Sequence, residues 1–302
     1  MCPAKKKQKT AALFPALARL LAFVRGQGRP IVWTVLLVVG LVGGWCGVWY
    51  GAGVRQYVLS SDEYLVTPQS VQIPPLPDWI NNSQIRNEVF RDASLDGPLS
   101  IMDDDLTERI GNAFSLHPWI AKVCWVRKHH PARVEVELIY RRPVCMVEVP
   151  GGLFPVDSQG VLLPAADFSP IEASRYPRLV SVDTLPMGTA GECWGDPRVV
   201  GGAEIATALG EAWQELRLAQ ILPSTRPAAG VMTEHTYTLV TRRGTQIYWG
   251  PAPGSGVPGE LPAAEKVALL QKYVQEHGTL EGHHGPQELD VRRLQTPRVS
   301  SR

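Results

Sequence analysis

HPWIAKVCWVRKHHPARVEVELIYRRPV, residues 117–144, is the stretch whose reading decides the fold. Ile120–Arg127 and Val134–Tyr140 are runs rich in β-branched and aromatic residues, and Val134, Val136, Leu138 and Tyr140 alternate onto one face. Lys128, His129, His130 and Pro131 connect them. Adjacent histidines on a hairpin point apart, so this pair reads as solvated loop residues and not as metal ligands. His117-Pro118 ends whatever element comes before.

Upstream, Ser100-Ile101-Met102-Asp103 opens a helix, with Ser100 as its N-cap and Asp103, Asp104 and Asp105 in the first turn. Carboxylates suit that end of the helix dipole, which accounts for the acidic triplet better than a cation site does. Leu106, Ile110 and Phe114 recur at i, i+4 and i+8, a core-facing stripe. A further helix is expected over about Ile80–Phe90. Before it, a short strand near Gln69–Ile73 is stopped by Pro74, Pro75 and Pro77. The order over residues 69–143 is therefore strand, helix, helix, strand, strand.

Further upstream, residues 31–52, IVWTVLLVVGLVGGWCGVWYGA, carry no charge. At ~1.5 Å per residue they make a helix about 33 Å long, against a hydrocarbon core of ~30 Å. Ten are Ile, Leu or Val, and Trp33, Trp45, Trp49 and Tyr50 stand near the ends, as interfacial aromatics do. This is a single membrane anchor. A cleaved signal peptide is the rival, with Gly51-Ala52-Gly53 as a loose cleavage site, but its apolar core would be shorter. Residues 1–30 hold Lys5, Lys6, Lys7, Lys9, Arg19, Arg25 and Arg29 and no acid, so the N-terminus is expected in the cytoplasm and residues 53–302 outside. Gly43, Gly47 and Gly51 share one helical face, a candidate packing surface for another membrane helix. Residues 53–68 read as a linker.

Downstream, Val156-Asp157-Ser158-Gln159-Gly160-Val161-Leu162 is a tight turn, with Asp157 bonding the turn backbone and Gly160 supplying positive φ. Leu153–Val156, Leu179–Val182, Tyr237–Thr241 and Thr245–Trp249 read as short strands, the last two meeting at Arg243-Gly244. Helices are expected over Ala203–Leu218, with Ile205, Leu209, Ala212 and Leu216 as one stripe, and over Ala263–His277, with Val267, Leu270 and Val274 as another and Gly278 as C-cap. The Gly/Pro-rich loops 183–198 and 251–262 have no place in this scheme.

Seven of the 30 Lys and Arg precede the anchor, so 23 of them face 29 Asp and Glu beyond it, about −6 net. That excludes an electrostatic case for nucleic acid. Cys124, Cys145 and Cys193 are too few and too irregular for a disulfide framework. Cys124 and Cys145 either pair, should their strands be neighbours, or stay as buried thiols. No CxxC, HxxxH, phosphate loop, dinucleotide fingerprint or nucleophile elbow is present, and Gly254-Ser255-Gly256 is not one. His283-His284 lack acidic or cysteine partners at ligand spacing. No catalytic residue, metal or cofactor is indicated.

Pro118-Trp119-Ile120, Val126-Arg127, Pro131, Val134–Ile139, Arg142-Pro143-Val144 and the Val156–Leu162 turn occur in the order of the bacterial FtsQ/DivIB division family. The chain resembles that family over residues 1–293, most tightly over 118–162. The resemblance implies an α+β fold: one N-terminal transmembrane helix, a POTRA domain (β-α-α-β-β) over 69–143, then an FtsQ-type β-rich domain with two helices over 144–294 and a tail over 295–302. It further implies a non-enzymatic septum scaffold whose partners are FtsL- and FtsB-like bitopic proteins and the septal peptidoglycan synthase. Leu289, Asp290, Val291 and Arg292 match the family's aliphatic-Asp-aliphatic-Arg strand and are the candidate partner-binding edge, with a plain Asp290–Arg292 ion pair as the alternative. Two features depart from the family pattern. The first POTRA strand is proline-laden, and Pro297 interrupts the further strand expected after Arg293. An envelope chaperone or transport module is the other reading of a POTRA domain, disfavoured by the lack of a series of ~10-residue barrel strands.

Overall fold

The computed structural model describes residues 29–59, 63–81, 84–95, 97, 99–225, 235–282, 285–292 and 298–299. The basic tail and His283-His284 lie outside them. The fold is α+β, with one N-terminal apolar helix and a β-rich body carrying several helices. Two units divide the chain, residues 1–65 and 66–302.

The first unit is built on α1 (Arg29–Leu59), which runs past the apolar stretch at both ends. Trp33–Tyr50 is long and apolar enough to cross a membrane by length and composition. Trp45 and Trp49 stack with ring centroids 6.5 Å apart. A Cβ added at Gly43 or Gly47 would meet nothing within 4 Å. β1 (Leu65–Val66) lies at the boundary between the units.

The second unit begins with β2 (Val71–Gln72), α2 (Ile85–Asp92), β3 (Leu99–Ser100), α3 (Leu106–Ser115), β4 (Ile120–His129) and β5 (Arg133–Tyr140). A three-stranded sheet forms in the order β2-β5-β4, with β2 parallel to β5 and β4 antiparallel to it. The stripe Leu106, Ile110 and Phe114 is fully buried, as its spacing requires. Each such side chain contributes about 1.5–3 kcal/mol, an upper estimate against a compact unfolded chain. Two local expectations change. Ser100 is not the N-cap: it ends β3 and its hydroxyl accepts from Met102 N at 3.2 Å, in a turn ahead of the helix. The first helix starts at Ile85, after the proline-rich stretch and a turn at Asp78-Trp79.

The chain continues through β6 (Pro143–Val149), β7 (Gly152–Asp157), α4 (Pro170–Ala173), β8 (Arg178–Leu179), α5 (Pro197–Leu209), α6 (Ala212–Glu215), β9 (Leu218–Pro223), β10 (Thr236–Thr241), β11 (Gln246–Pro251), α7 (Ala263–His277), β12 (Glu288–Asp290) and β13 (Arg298–Val299). These strands form one eight-stranded sheet, ordered β13-β12-β11-β10-β9-β8-β6-β7. Val147, Leu179, Ile221, Leu239, Ile247 and Leu289 carry its buried face in one core with residues of α5 and α7. Gly202 lets α5 approach closely, for a Cβ there would lie 2.7 Å from Leu179. Loop 183–198 leads into α5 through Asp196, whose carboxylate accepts from Arg198 N at 2.8 Å and from the Thr184 hydroxyl at 2.6 Å. Against its burial, hydrogen bonds from Arg198 and Thr184 hold the Asp196 carboxyl below the usual range.

The single helix expected over Ala203–Leu218 is corrected. α5 starts earlier, capped by Asp196, and ends at Gly210, whose φ is +46°. One turn of α6 and the strand β9 follow. Ile205, Leu209, Ala212 and Leu216 are all buried, so their spacing continued a helical stripe across the break. The thiols are also redistributed. Cys145 is buried, and that burial pushes its pKa up to about 12. Cys124 and Cys193 are exposed, and none of the described cysteines is paired.

The two sheets are joined where β5 passes into β6. Arg141 donates to Asp157 at 2.7 Å, and both side chains are largely buried. Asp157 also accepts from Gln159 N at 2.8 Å and Val161 N at 3.0 Å, while Gly160 takes φ +71°, the turn read from the sequence. The Trp119 indole N–H donates to Asp167 at 2.7 Å, and the Trp79 indole N–H to the Arg141 carbonyl at 3.0 Å. Removing one member of a buried pair strands the other. Asp157→Ala is expected to lower stability by about 3–5 kcal/mol, read from the urea midpoint of the solubilised chain. An unchanged midpoint would show that the junction contributes nothing.

Candidate functional site

Strand alternation divides the four residues of the 289–292 motif. β12 lies parallel to β11, pairing Gln246 with Glu288, Ile247 with Leu289 and Tyr248 with Asp290. Leu289 therefore shares the inner face with Ile247 and is fully buried, as is Val291, whose N–H donates to the Tyr248 carbonyl at 3.3 Å. Asp290 and Arg292 are only partly covered. The Arg292 guanidinium donates to Asp290 at 2.9 and 2.5 Å, and the Arg292 N–H donates to it at 3.0 Å. These bonds raise the Arg292 pKa above its ordinary value. The same guanidinium sits 5.7 Å from the centroid of the Tyr248 ring, whose hydroxyl donates to Glu288 at 3.1 Å. The ion pair held as the alternative for these two residues is thus present.

β12 is not the last strand. β13 pairs with it antiparallel, Leu289 with Val299 and Asp290 with Arg298, so the motif lies one strand inside the end of the sheet. The expectation that Pro297 prevents a further strand is corrected. β13 itself spans Arg298–Val299, and Pro297 lies outside the described residues.

No family model matches the chain. Over 150 residues it is 31% identical to the cell division protein FtsQ of Anaeromyxobacter sp. (strain K). That stretch is 48% of this chain and 45% of the relative, so the chain spans less than half the length of the curated relative it matches. A bacterial division protein is what this chain is similar to. Among the described residues no group of three or more His, Cys, Asp or Glu could hold a metal ion. His129 instead faces Glu135 at 3.2 Å.

Behind the motif stands a group that the sequence reading missed. Lys266, fully buried on α7, donates to the Trp249 carbonyl at 2.6 Å and to Glu260, and its ammonium lies 4.9 Å from the Trp249 ring centroid. Burial pushes its pKa below the ordinary value, with Glu260 opposing. The buried face of α7 is Lys266, Leu270 and Tyr273, one position round from the expected Val267, Leu270 and Val274, both valines being half-buried. A lysine on an apolar stripe at i, i+4, i+7 was the available signal.

Gly250, with φ +93°, lies between these groups: a Cβ there would come within 2.8 Å of the Glu260 carboxylate and 3.3 Å of the Arg292 stem. Gly250→Ala is expected to destabilise by about 1–2 kcal/mol from the left-handed backbone alone, measured by urea unfolding. A midpoint equal to that of the parent chain would show that neither the backbone nor its two neighbours is constrained.

Proposed function

We propose that this chain is a bitopic inner-membrane scaffold of the bacterial division septum. One observation carries the reading: the 31% identity to a cell division FtsQ, in a chain that also has an apolar helix of membrane-spanning length near its N-terminus. In this reading residues 1–30 are a cytoplasmic basic tail, 31–52 cross the membrane and 53–68 link to the exported part. A POTRA domain over 69–143 and an FtsQ-type domain over 144–294 then lie in the periplasm. The cation-rich, acid-free tail supports that orientation.

The protein works by contact. Its partners are FtsL- and FtsB-like bitopic proteins, and through them it helps to control the septal peptidoglycan synthase. The contact is strand addition at the β12–β13 end of the sheet, where main-chain hydrogen bonds give affinity and alternate side chains give specificity. Leu289 and Val291 anchor that end in the core, while Asp290 and Arg292 stand on its other face. In the membrane, Gly43, Gly47 and Gly51 form a second, close-packing contact.

Two experiments test the reading. Val291→Pro removes the N–H that holds β12 to β11. It is expected to abolish co-purification of bitopic division proteins from solubilised membranes, whereas full recovery of them with a folded chain would count against this end of the sheet. Gly43→Leu with Gly47→Leu is expected to reduce the same recovery several-fold, and unchanged recovery would remove the membrane contact from the account.

A further inference from the structure

His117 stands where α3 gives way to β4, and its side chain is only 6% exposed. Its Nδ1 accepts from the Trp119 backbone N–H at 3.3 Å. A backbone N–H can only donate, so Nδ1 carries no hydrogen and the ring is neutral. Its one N–H is therefore at Nε2, which donates to the Glu88 carboxylate on α2 at 3.0 Å. The other oxygen of Glu88 accepts from Gln84 N, at the start of α2, at 2.8 Å. One neutral imidazole thus links the start of α2 to the start of β4.

A second proton has one place to go. With Nε2 already protonated it must enter at Nδ1, where it would face the Trp119 N–H, donor against donor. The charged groups set against the ring are Glu88 and Asp92, both on α2. Glu88 would hold the charged ring as an ion pair in the place where it holds the neutral one. Asp92 is exposed and already paired with Arg91 at 2.9 Å, so solvent screens it. The loop that packs on Pro118 at Gly191 carries Glu192, whose carboxylate faces Thr189 instead. Trp119 itself is fully buried, and its indole makes the Asp167 bond at the junction of the two sheets. We propose that His117 is a proton-sensitive latch: neutral, it holds the start of β4 in place, and on taking up a second proton it keeps Glu88 and releases the Trp119 N–H, loosening that junction. Imidazole is the side chain whose charge ordinarily changes between about pH 5 and pH 8. The inference concerns the second unit alone and does not depend on the septal reading.

The test uses the full chain in detergent micelles with its nitrogens isotopically labelled. The His117 ring signals are identified by their loss in His117→Asn. The parent is expected to show a bare Nδ1 and a protonated Nε2 at about pH 8, and protons on both nitrogens by about pH 5. In step with the ring, the protection of the Trp119 amide against solvent exchange, corrected for the intrinsic rate, is expected to fall about tenfold or more. The Leu239 amide, in the middle of the eight-stranded sheet, is expected to keep its protection. Asn retains an acceptor near the Nδ1 position and does not titrate, so Trp119 protection in His117→Asn is expected to stay within about twofold over the same range. Four results on the parent chain would each overturn the inference: a protonated Nδ1 at about pH 8, a ring still neutral at about pH 5, unchanged Trp119 protection once the ring is charged, or an equal fall at Leu239. A fall of the same size in His117→Asn would overturn it as well.

Discussion

The Arg141–Asp157 pair is the interaction on which the arrangement of the second unit depends. Only Arg141 and Arg142 separate the last strand of the three-stranded sheet from the first of the eight-stranded sheet. So short a connection cannot fix an angle by itself. The angle is fixed because Asp157 does two things at once, accepting from Arg141 across the junction and from the backbone of its own turn. The Trp119–Asp167 bond adds a second point of attachment, and two points resist rotation where one would not. A buried ion pair adds little net stability compared with apolar packing, but removing one partner strands the other charge, so the pair holds the junction in place.

A second buried cation organises the far end of the same sheet. Lys266 ties α7 to the carbonyl of Trp249 on β11, and through Glu260 it ties down loop 251–262. Gly250 allows the Glu260 carboxylate and the Arg292 stem to come close without a side chain between them. The outermost strands at this end are short, two and three residues, which blunts an edge against indiscriminate pairing. Leu289 and Val291 anchor that end of the sheet from within the core.

Local, periodic features were legible in the sequence. Leu106, Ile110 and Phe114 are buried because helical spacing admits no other face, and the Asp157–Gly160 turn follows from side-chain length and positive φ. The strands flanking Pro131 were read within two residues of their ends. Features that depend on residues distant in the chain were not legible. Nothing about Arg141 announces that its partner is Asp157, and nothing in the helix sequence reveals a carbonyl waiting for Lys266. β9 was hidden because apolar spacing ran on through Gly210, although the glycine itself was a stop signal. At the candidate site the motif gave the Asp290–Arg292 pair but not the neighbours of β12, since strand order is decided by the whole sheet.

The central claim is that the protein acts by offering the β13 end of its sheet to a membrane-tethered partner. Site-specific photo-crosslinking in living cells tests this most directly, with a photoreactive residue placed at Arg298 or, for comparison, at Lys122 on the edge of the other sheet. The account predicts a discrete adduct with a bitopic division protein from position 298 and none from position 122. An adduct from position 122 alone would contradict it.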